Sequence, residues 1–510
     1  MSYLSARDHR GSLILDCDVV VVGSGASGAV VATELAESGQ RVIVLEEGAH
    51  VPHAEYGKMR VSESLRHIWR DGGMTIAIPL GDSPAINVTM GKVVGGSSVL
   101  TGGVCFRLPG RILHEWRRHH GLPEYTEESM EEATQAVERH CHIETVPTAM
   151  RSRATTLFDE GARKRGFELK PLRRNTRDCK GCGRCNFGCP EGAKLSVDLS
   201  YLPRGVKAGA TVYSHCVVNK VLSRGGRAVG VTGRILNGPN GTLGSELTVH
   251  ARRVVLACSA WYTPLILERS GVGKQSKVLG KRMTLHPGFR MMARFDEDVR
   301  GWHGAMQSAF SDAFEEAGAT LVSVFIPPSV IAATMPGIGP AHHERAQQLP
   351  NIAMFGGMIH DEGGGTVRRG FGREPIVTYR MAREDRPKVS ATVRALGETY
   401  LAAGAKEVFP PLLGLPGGLS ADAFRKLDLD AIPMSRFETS SQHPLGTARM
   451  GKDPVNAVVD ADGRAFDMEE LYVVDGSVLP TSLGVNPQLS IMSIATRLAW
   501  RMRDRPLRPL

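Results

Sequence analysis

A chain of 510 residues, 42% of them hydrophobic and 23% charged, is too long for one compact unit and apolar enough for a sizeable core. Its net charge of +9 is spread over interleaved basic and acidic residues, with no basic stripe bearing aromatics, so the composition argues against a nucleic-acid binder. No apolar stretch reaches the length of a membrane span, and MSYLSARDHRGS lacks the apolar core of a secretory signal, which leads to the expectation of a cytoplasmic protein.

The first organised segment is 17–48, CDVVVVGSGASGAVVATELAESGQRVIVLEEG. DVVVVG is short, apolar and β-branched, as a strand buried on both faces should be. ASGAVVATELAES carries apolar residues at helical spacing and ends at Gly39, a C-terminal cap. RVIVLE is a second buried strand, which completes a βαβ unit of dinucleotide-binding type. In GSGASG, Gly23 permits the tight turn, Gly25 lets backbone approach a pyrophosphate, and Gly28 lets the helix pack on its strand. The helix start around Ser27 then offers free N–H groups to phosphates, and Glu46 at the end of the second strand is placed for ribose hydroxyls. Whether the dinucleotide is FAD or NAD is not decided by this unit.

A loop-rich stretch follows, with the glycine-rich TMGKVVGGSSVLTGGVCF at 89–106. Residues 127–140 and 153–165 read as surface helices. RDCKGCGRCNFGCPEG places Cys179, Cys182, Cys185 and Cys189 in the spacing C-x2-C-x2-C-x3-C-P, which ferredoxins use for iron–sulfur clusters. Three readings stay open for it: an iron–sulfur cluster, a zinc ion held by four thiolates, or a compact loop without metal. TVYSHCVVNKVLSRGGRAVGVTGRI alternates as a hairpin turning at the glycine pair, and ARRVVLACSAWYTPLILERSGVG is a buried strand leading into a helix. From 287 to 435 the pattern becomes short strands and Gly/Pro-rich turns, which predicts a second domain on a largely antiparallel sheet. LYVVDGSVLPTSLGVNPQLSIMSIATRLAWRM returns to strand, loop and helix. The expected fold class is therefore α/β (α+β). Residues 13–110, 196–286 and 436–510 build a Rossmann-like nucleotide domain, 111–195 form a connecting segment with the cysteine loop, and 287–435 form a substrate domain.

Near the C-terminus, HPLGTARMG contains His443 and GVNPQLSI contains Asn486. An imidazole and a carboxamide brought together can grip one hydroxyl group, the first taking its proton and the second bonding its oxygen. His suits the base because its ordinary pKa lies near neutrality.

At this point the sequence resembles the glucose–methanol–choline (GMC) flavin oxidoreductases over nearly its whole length. The likeness rests on VVVGSGASGAVVATEL…VIVLEEG, GKVVGGSSVLTGG and HPLGTARMG…LYVVDGSVLP…GVNPQLSI. It implies an FAD-binding domain joined to an antiparallel substrate domain, and oxidation of an alcohol with hydride passing to flavin. On the matching positions, His443 is the base and Asn486, with Pro487 beside it, occupies the second active-site position. Gly95, Gly96 and Ser97 run past the flavin, Asp475 and Gly476 contact it, and Val218 gives backbone contacts near the adenine. Thr101 stands where many members have Asn, and Leu100 near where some have a flavin-linked His, so the FAD is expected to be non-covalent. Some relatives with membrane electron partners carry a cluster on such a cysteine run, whereas others have a metal-free segment with the same GC…GAK frame. A cluster here would be an exit wire for electrons.

The expected partners are a small-molecule alcohol and an electron acceptor that is oxygen or a redox carrier. The apolar run ATLVSVFIPPSVIAATMPGIG favours a bulky lipophilic alcohol, long-chain or steroid, with a sugar or polyol as the alternative. An electron-transfer flavoprotein with FAD and a cluster is the rival of a different class.

Overall fold

Val19–Val22 lie at the centre of the molecule, each at most 4% exposed, because this strand is covered by helices on both faces. The computed structural model describes residues 3–238 and 241–509. Strand Leu13–Val22 runs into helix Ala26–Glu37 and then strand Val42–Leu45, which pairs parallel to it, completing the βαβ unit. The helix closes on Gly39 (φ +88), whose N–H donates to Ala36 O while Gln40 N–H reaches back to Leu35 O.

The first sheet has eight strands. Tyr3–Ser5, Thr211–Ser214, Val42–Leu45, Leu13–Val22 and Thr242–Leu256 follow one another in parallel. The long last member of that series also pairs antiparallel with Arg227–Asn237, and its end pairs parallel with Leu471–Val473. Cys216–Arg224 and Arg227–Asn237 form the predicted hairpin, turning on Gly225 (φ +57) and Gly226 (φ +79). The C-terminal segment thus returns to the middle of the first sheet, and helix Gln488–Arg503 packs beside Ala26–Glu37. Trp500 Nε1 donates to Glu34 across that contact at 2.8 Å.

The second sheet has twelve strands and is largely antiparallel. Its middle is Gly288–Arg294 paired with Ile352–Ile359. Helices Arg153–Lys164 and Arg386–Ala402 pack against it, with Phe158 stacked on Phe355 at 3.8 Å. Strands Ile76–Pro79, Ile86–Val88 and Lys281–Met283, from outside 287–435, also belong to this sheet. The helix Arg386–Ala402 departs from the strand-and-turn pattern expected there; Val389, Val393, Leu396 and Tyr400 form its buried stripe at helical spacing. The surface helices appear as Glu127–His140 and Arg153–Lys164, each burying one face. Among the described residues, no helix is long and apolar enough to cross a membrane.

Candidate active site

Four central strands end at one place. Val22 passes into Gly23, Leu45 into Glu46, Leu256 into Ala257 and Val473 into Val474 and Asp475. Ligands of parallel sheets bind beyond such carboxyl ends. There a cleft encloses about 1280 Å³, its solvent-open mouth included. Gly23, Gly25, Ser27, Glu46, Gly96, Ser97, Val218, His443, Asp475, Gly476 and Pro487 all border it.

Gly23 has φ +98, and a Cβ there would strike the Ala257 carbonyl. A Cβ on Gly28 would strike the Gly23 carbonyl, so this glycine allows helix and strand to touch and does not border the cleft. Gly25 is the N-cap of Ala26–Glu37 and has open space on its side-chain side, apart from Gly96 Cα at 4.0 Å. Gly96 (φ +55) comes from the second glycine loop; a Cβ on it would lie 2.8 Å from Gly25 Cα. The two loops therefore meet backbone to backbone and leave the helix N–H groups facing the cleft, a cradle suited to a pyrophosphate. Gly95 (φ +96) shapes this loop from behind, donating its N–H to Ser24 Oγ at 3.0 Å. Ser97 Oγ accepts from Gly91 N–H at 3.0 Å. Thr101 points elsewhere: its hydroxyl donates to Gln488 Oε1 at 2.8 Å and does not face the cleft. Leu100 is buried in a small apolar cluster.

Glu46 is buried and already holds three donors. Ser24 N–H and Oγ–H bond one oxygen at 3.0 and 2.7 Å, and Gly48 N–H bonds the other at 2.9 Å. Burial raises its pKa against these bonds. Glu47, which the sequence reading passed over, also borders the cleft. Arg70, Lys92 and Arg373 reach it at 2.6, 3.3 and 2.9 Å. Burial works to raise the Glu47 carboxyl, yet Arg70, Arg373 and Lys92 hold it at about 2. Arg70 also lies over the Tyr262 ring at 4.3 Å. Three distant segments join here, and no local pattern announces them.

His443 borders the cleft, and Asn486, which does not itself border it, comes to the ring from behind Pro487. Asn486 Nδ2 lies 3.2 Å from His443 Nε2. His443 Nδ1 and Asn486 Oδ1 are buried polar atoms with no partner among the described residues. Asn486 and Pro487 sit just before helix Gln488–Arg503, so a helix N-terminus with its positive dipole end lies at the cleft, which Pro487 borders. Burial pushes the His443 imidazole down to about 4. The neutral ring is therefore the form present at pH 7, free to accept a proton.

His286 holds this arrangement from behind. Its ring lies edge-on to His443 at 5.3 Å, and its Nε2 accepts from both Leu483 and Gly484 N–H at 2.8 and 3.0 Å. These two bonds tie down the loop leading to Asn486 and require a neutral ring. Burial first, and His443 second, keep its pKa well below the ordinary value. His286 has φ +47, an unfavourable backbone for a β-carbon residue, held by Asp361 accepting the N–H groups of Leu285 and His286. A histidine before a proline gave no sequence signal of this role.

The cysteine run lies away from this cleft. Cys179, Cys182, Cys185 and Cys189 border one small separate cavity together with Arg174 and Lys194. Arg174 donates to Cys185 Sγ at 3.0 Å, and Lys194 N–H reaches Cys189 Sγ at 3.4 Å. Lys194 Nζ donates to the carbonyls of Val99, Thr101 and Cys185, so this lysine ties the loop to the second glycine segment. Among the described residues, no three His, Cys, Asp or Glu side chains converge to hold a metal ion. The thiols share a cavity wall without forming a ligand shell, with two of them engaged by neighbouring N–H donors.

A Rossmann-like sheet with this cleft, joined to an antiparallel sheet, places the molecule among dinucleotide-dependent oxidoreductases. The chain belongs to the GMC oxidoreductase family, whose N-terminal model matches residues 17–288 and whose C-terminal model matches 373–495. It is 37% identical to an uncharacterized GMC-type oxidoreductase of Mycobacterium tuberculosis, over 94% of this chain and 75% of that one. It is 27% identical to long-chain-alcohol oxidase FAO1 of Arabidopsis thaliana, over 98% of this chain and 68% of that one. The fold is similar to that of pyridoxine 4-oxidase from Mesorbium loti, with a TM-score of 0.72, 18% identity, and 96% and 100% of the two chains covered. The protein is thus an FAD-dependent oxidoreductase acting on CH–OH donors. The cleft fits that cofactor: the Cβ-free meeting of Gly25 and Gly96 leaves room for a pyrophosphate, and Glu46 stands at the end of the second strand.

Proposed function

We propose that this enzyme oxidises a bulky lipophilic alcohol to its aldehyde or ketone, with His443 as the base and Asn486 as the hydroxyl-positioning group. The observation that carries the reading is the 3.2 Å approach of Asn486 to His443, whose ring borders the cleft. FAD, when bound, supplies the acceptor for the carbinol hydride. His443 Nε2 takes the hydroxyl proton, and the Asn486 amide donates to the oxygen as negative charge grows there. Gly23, Gly25, Ser27, Glu46, Gly96, Ser97, Val218, Asp475, Gly476 and Pro487 are proposed to hold the cofactor. Asp475 is fixed for this by Thr263 Oγ1 and Ser477 N–H at 2.5 and 2.8 Å.

The lipophilic substrate is supported by the likeness to a long-chain-alcohol oxidase over almost the whole chain. A second support is the apolar strand Ala319–Ser323, which bonds the Asn486 loop through Thr320 Oγ1 and Gly484 O at 2.9 Å. Anaerobic bleaching of the bound flavin by a panel of alcohols tests this. 1-Dodecanol or a sterol is expected to bleach it faster than glucose at equal concentration. Faster bleaching by glucose would overturn the substrate class, and no bleaching by any alcohol would overturn the reaction itself.

The pH profile follows from the depressed imidazole. Activity needs the neutral ring, so kcat/KM should stay level from pH 8 to 6 and fall as pH drops toward the His443 value of about 4. An acid limb centred at or above the ordinary histidine value would contradict the assignment.

A further inference from the structure

We propose that the outward face of one end of the second sheet docks the enzyme on an anionic lipid surface, with Phe371 entering the headgroup layer. Phe371 tips the hairpin between strands Gly365–Arg369 and Pro375–Tyr379 and is 99% exposed. Single exposed apolar residues are ordinary; a contiguous set is not. Here the set is contiguous by strand register. Thr378 pairs with Ile78 in the parallel contact with Ile76–Pro79, which brings Ile376 beside Ile76 on the same face. Met74, Ile76, Ile78, Leu80 and Ile376 are all exposed, Met74 by 73%. Alternation along Ile76–Pro79 is inverted relative to a solvated strand, with isoleucines pointing out and Ala77 in.

Cations border this face. Arg368 pairs with Ile376, and Lys281 pairs with Thr366, so both project on the apolar side. Arg369 and Arg380 are also exposed. None of these four is held in an ion pair among the described residues, whereas Arg373 and Arg386 nearby are engaged by acids. The one acid of the hairpin, Glu374, is bonded by Tyr262 and Arg373. An exposed aromatic tip and an exposed apolar strand face, bordered by more cations without acid partners than free acids, match the headgroup region of an anionic bilayer: rings and isoleucines enter the interface and cations meet phosphates. A second copy of this chain would instead bring the same cations against each other. The same hairpin carries Arg373 into the cofactor cleft, so the docked face lies beside the cleft. The proposal holds whichever alcohol is oxidised.

The test is co-sedimentation of the FAD-loaded enzyme with vesicles of phosphatidylcholine alone or mixed with phosphatidylglycerol. Binding is expected to the anionic vesicles only, with release by salt. Phe371→Ser and the double variant Arg368→Glu/Arg369→Glu should each reduce partitioning by about tenfold or more, with turnover of a water-soluble short-chain alcohol unchanged. Absence of wild-type binding, or variants that bind as wild type does, would overturn the proposal. So would a concentration-dependent dimer in light scattering that Phe371→Ser dissolves while vesicles bind nothing.

Discussion

A His443→Ala enzyme is expected to retain its FAD and lose about 10²- to 10⁴-fold in kcat, the range a positioned general base contributes. The loss should appear in kcat more than in KM, since a base acts on the proton in the transition state and contributes little to ground-state binding. Retention follows from the architecture, because the glycine cradle and Glu46 lie on other segments of the cleft wall. Asn486→Ala should cost about 10²-fold, by removing a donor to the developing charge and the group that orients His443 Nε2. The double variant should be less impaired than the product of the two, because the pair acts on one hydroxyl. Anaerobic single-turnover bleaching separates this from faulty reoxidation. A His443→Ala protein that bleaches at the wild-type rate would remove this residue from the chemistry, and one that is purified colourless would assign it to cofactor binding instead.

The parts legible in the sequence are those in which chemistry and spacing are local. GSGASG, its helix and the strand ending at Glu46 form one continuous stretch, and their roles depend on backbone conformation that only glycine adopts freely. His443 and Asn486 were legible as residue types in a familiar frame. That they meet depends on Leu471–Val473 inserting beside Thr242–Leu256, a pairing that no periodicity within either strand encodes. The Glu47–Arg70–Arg373 cluster and the His286 clamp were not legible, because each joins residues from separate elements by single side-chain contacts. Thr101 stands where many family members have Asn beside the flavin, and here its hydroxyl is taken by Gln488. Helix Arg386–Ala402 could have been read from its stripe of four apolar residues; Gly- and Pro-rich flanks hid it. The cysteine spacing carried open alternatives because spacing constrains the loop, whereas the Cys185 and Cys189 thiols are engaged by Arg174 and Lys194 from outside the motif.

The second large effect concerns the place where the two glycine loops touch. Gly96→Ala is expected to yield a folded but largely colourless protein, with FAD occupancy reduced more than tenfold. Two costs combine. At φ +55 any β-carbon is strained, by about 1–2 kcal/mol. The added methyl would also lie 2.8 Å from Gly25 Cα, a backbone atom that cannot rotate away. The start of helix Ala26–Glu37 must then shift, taking with it the N–H groups proposed to face the pyrophosphate. Gly39→Ala is the control, since it has φ +88 but nothing within 4 Å of the added carbon. It should lower thermal stability by a comparable conformational cost and leave the yellow colour intact. FAD titration of both apoproteins decides the matter: equal affinities would mean that the contact between the loops does not shape the cofactor site, whereas selective loss in Gly96→Ala locates the phosphates at the Gly25–Gly96 contact.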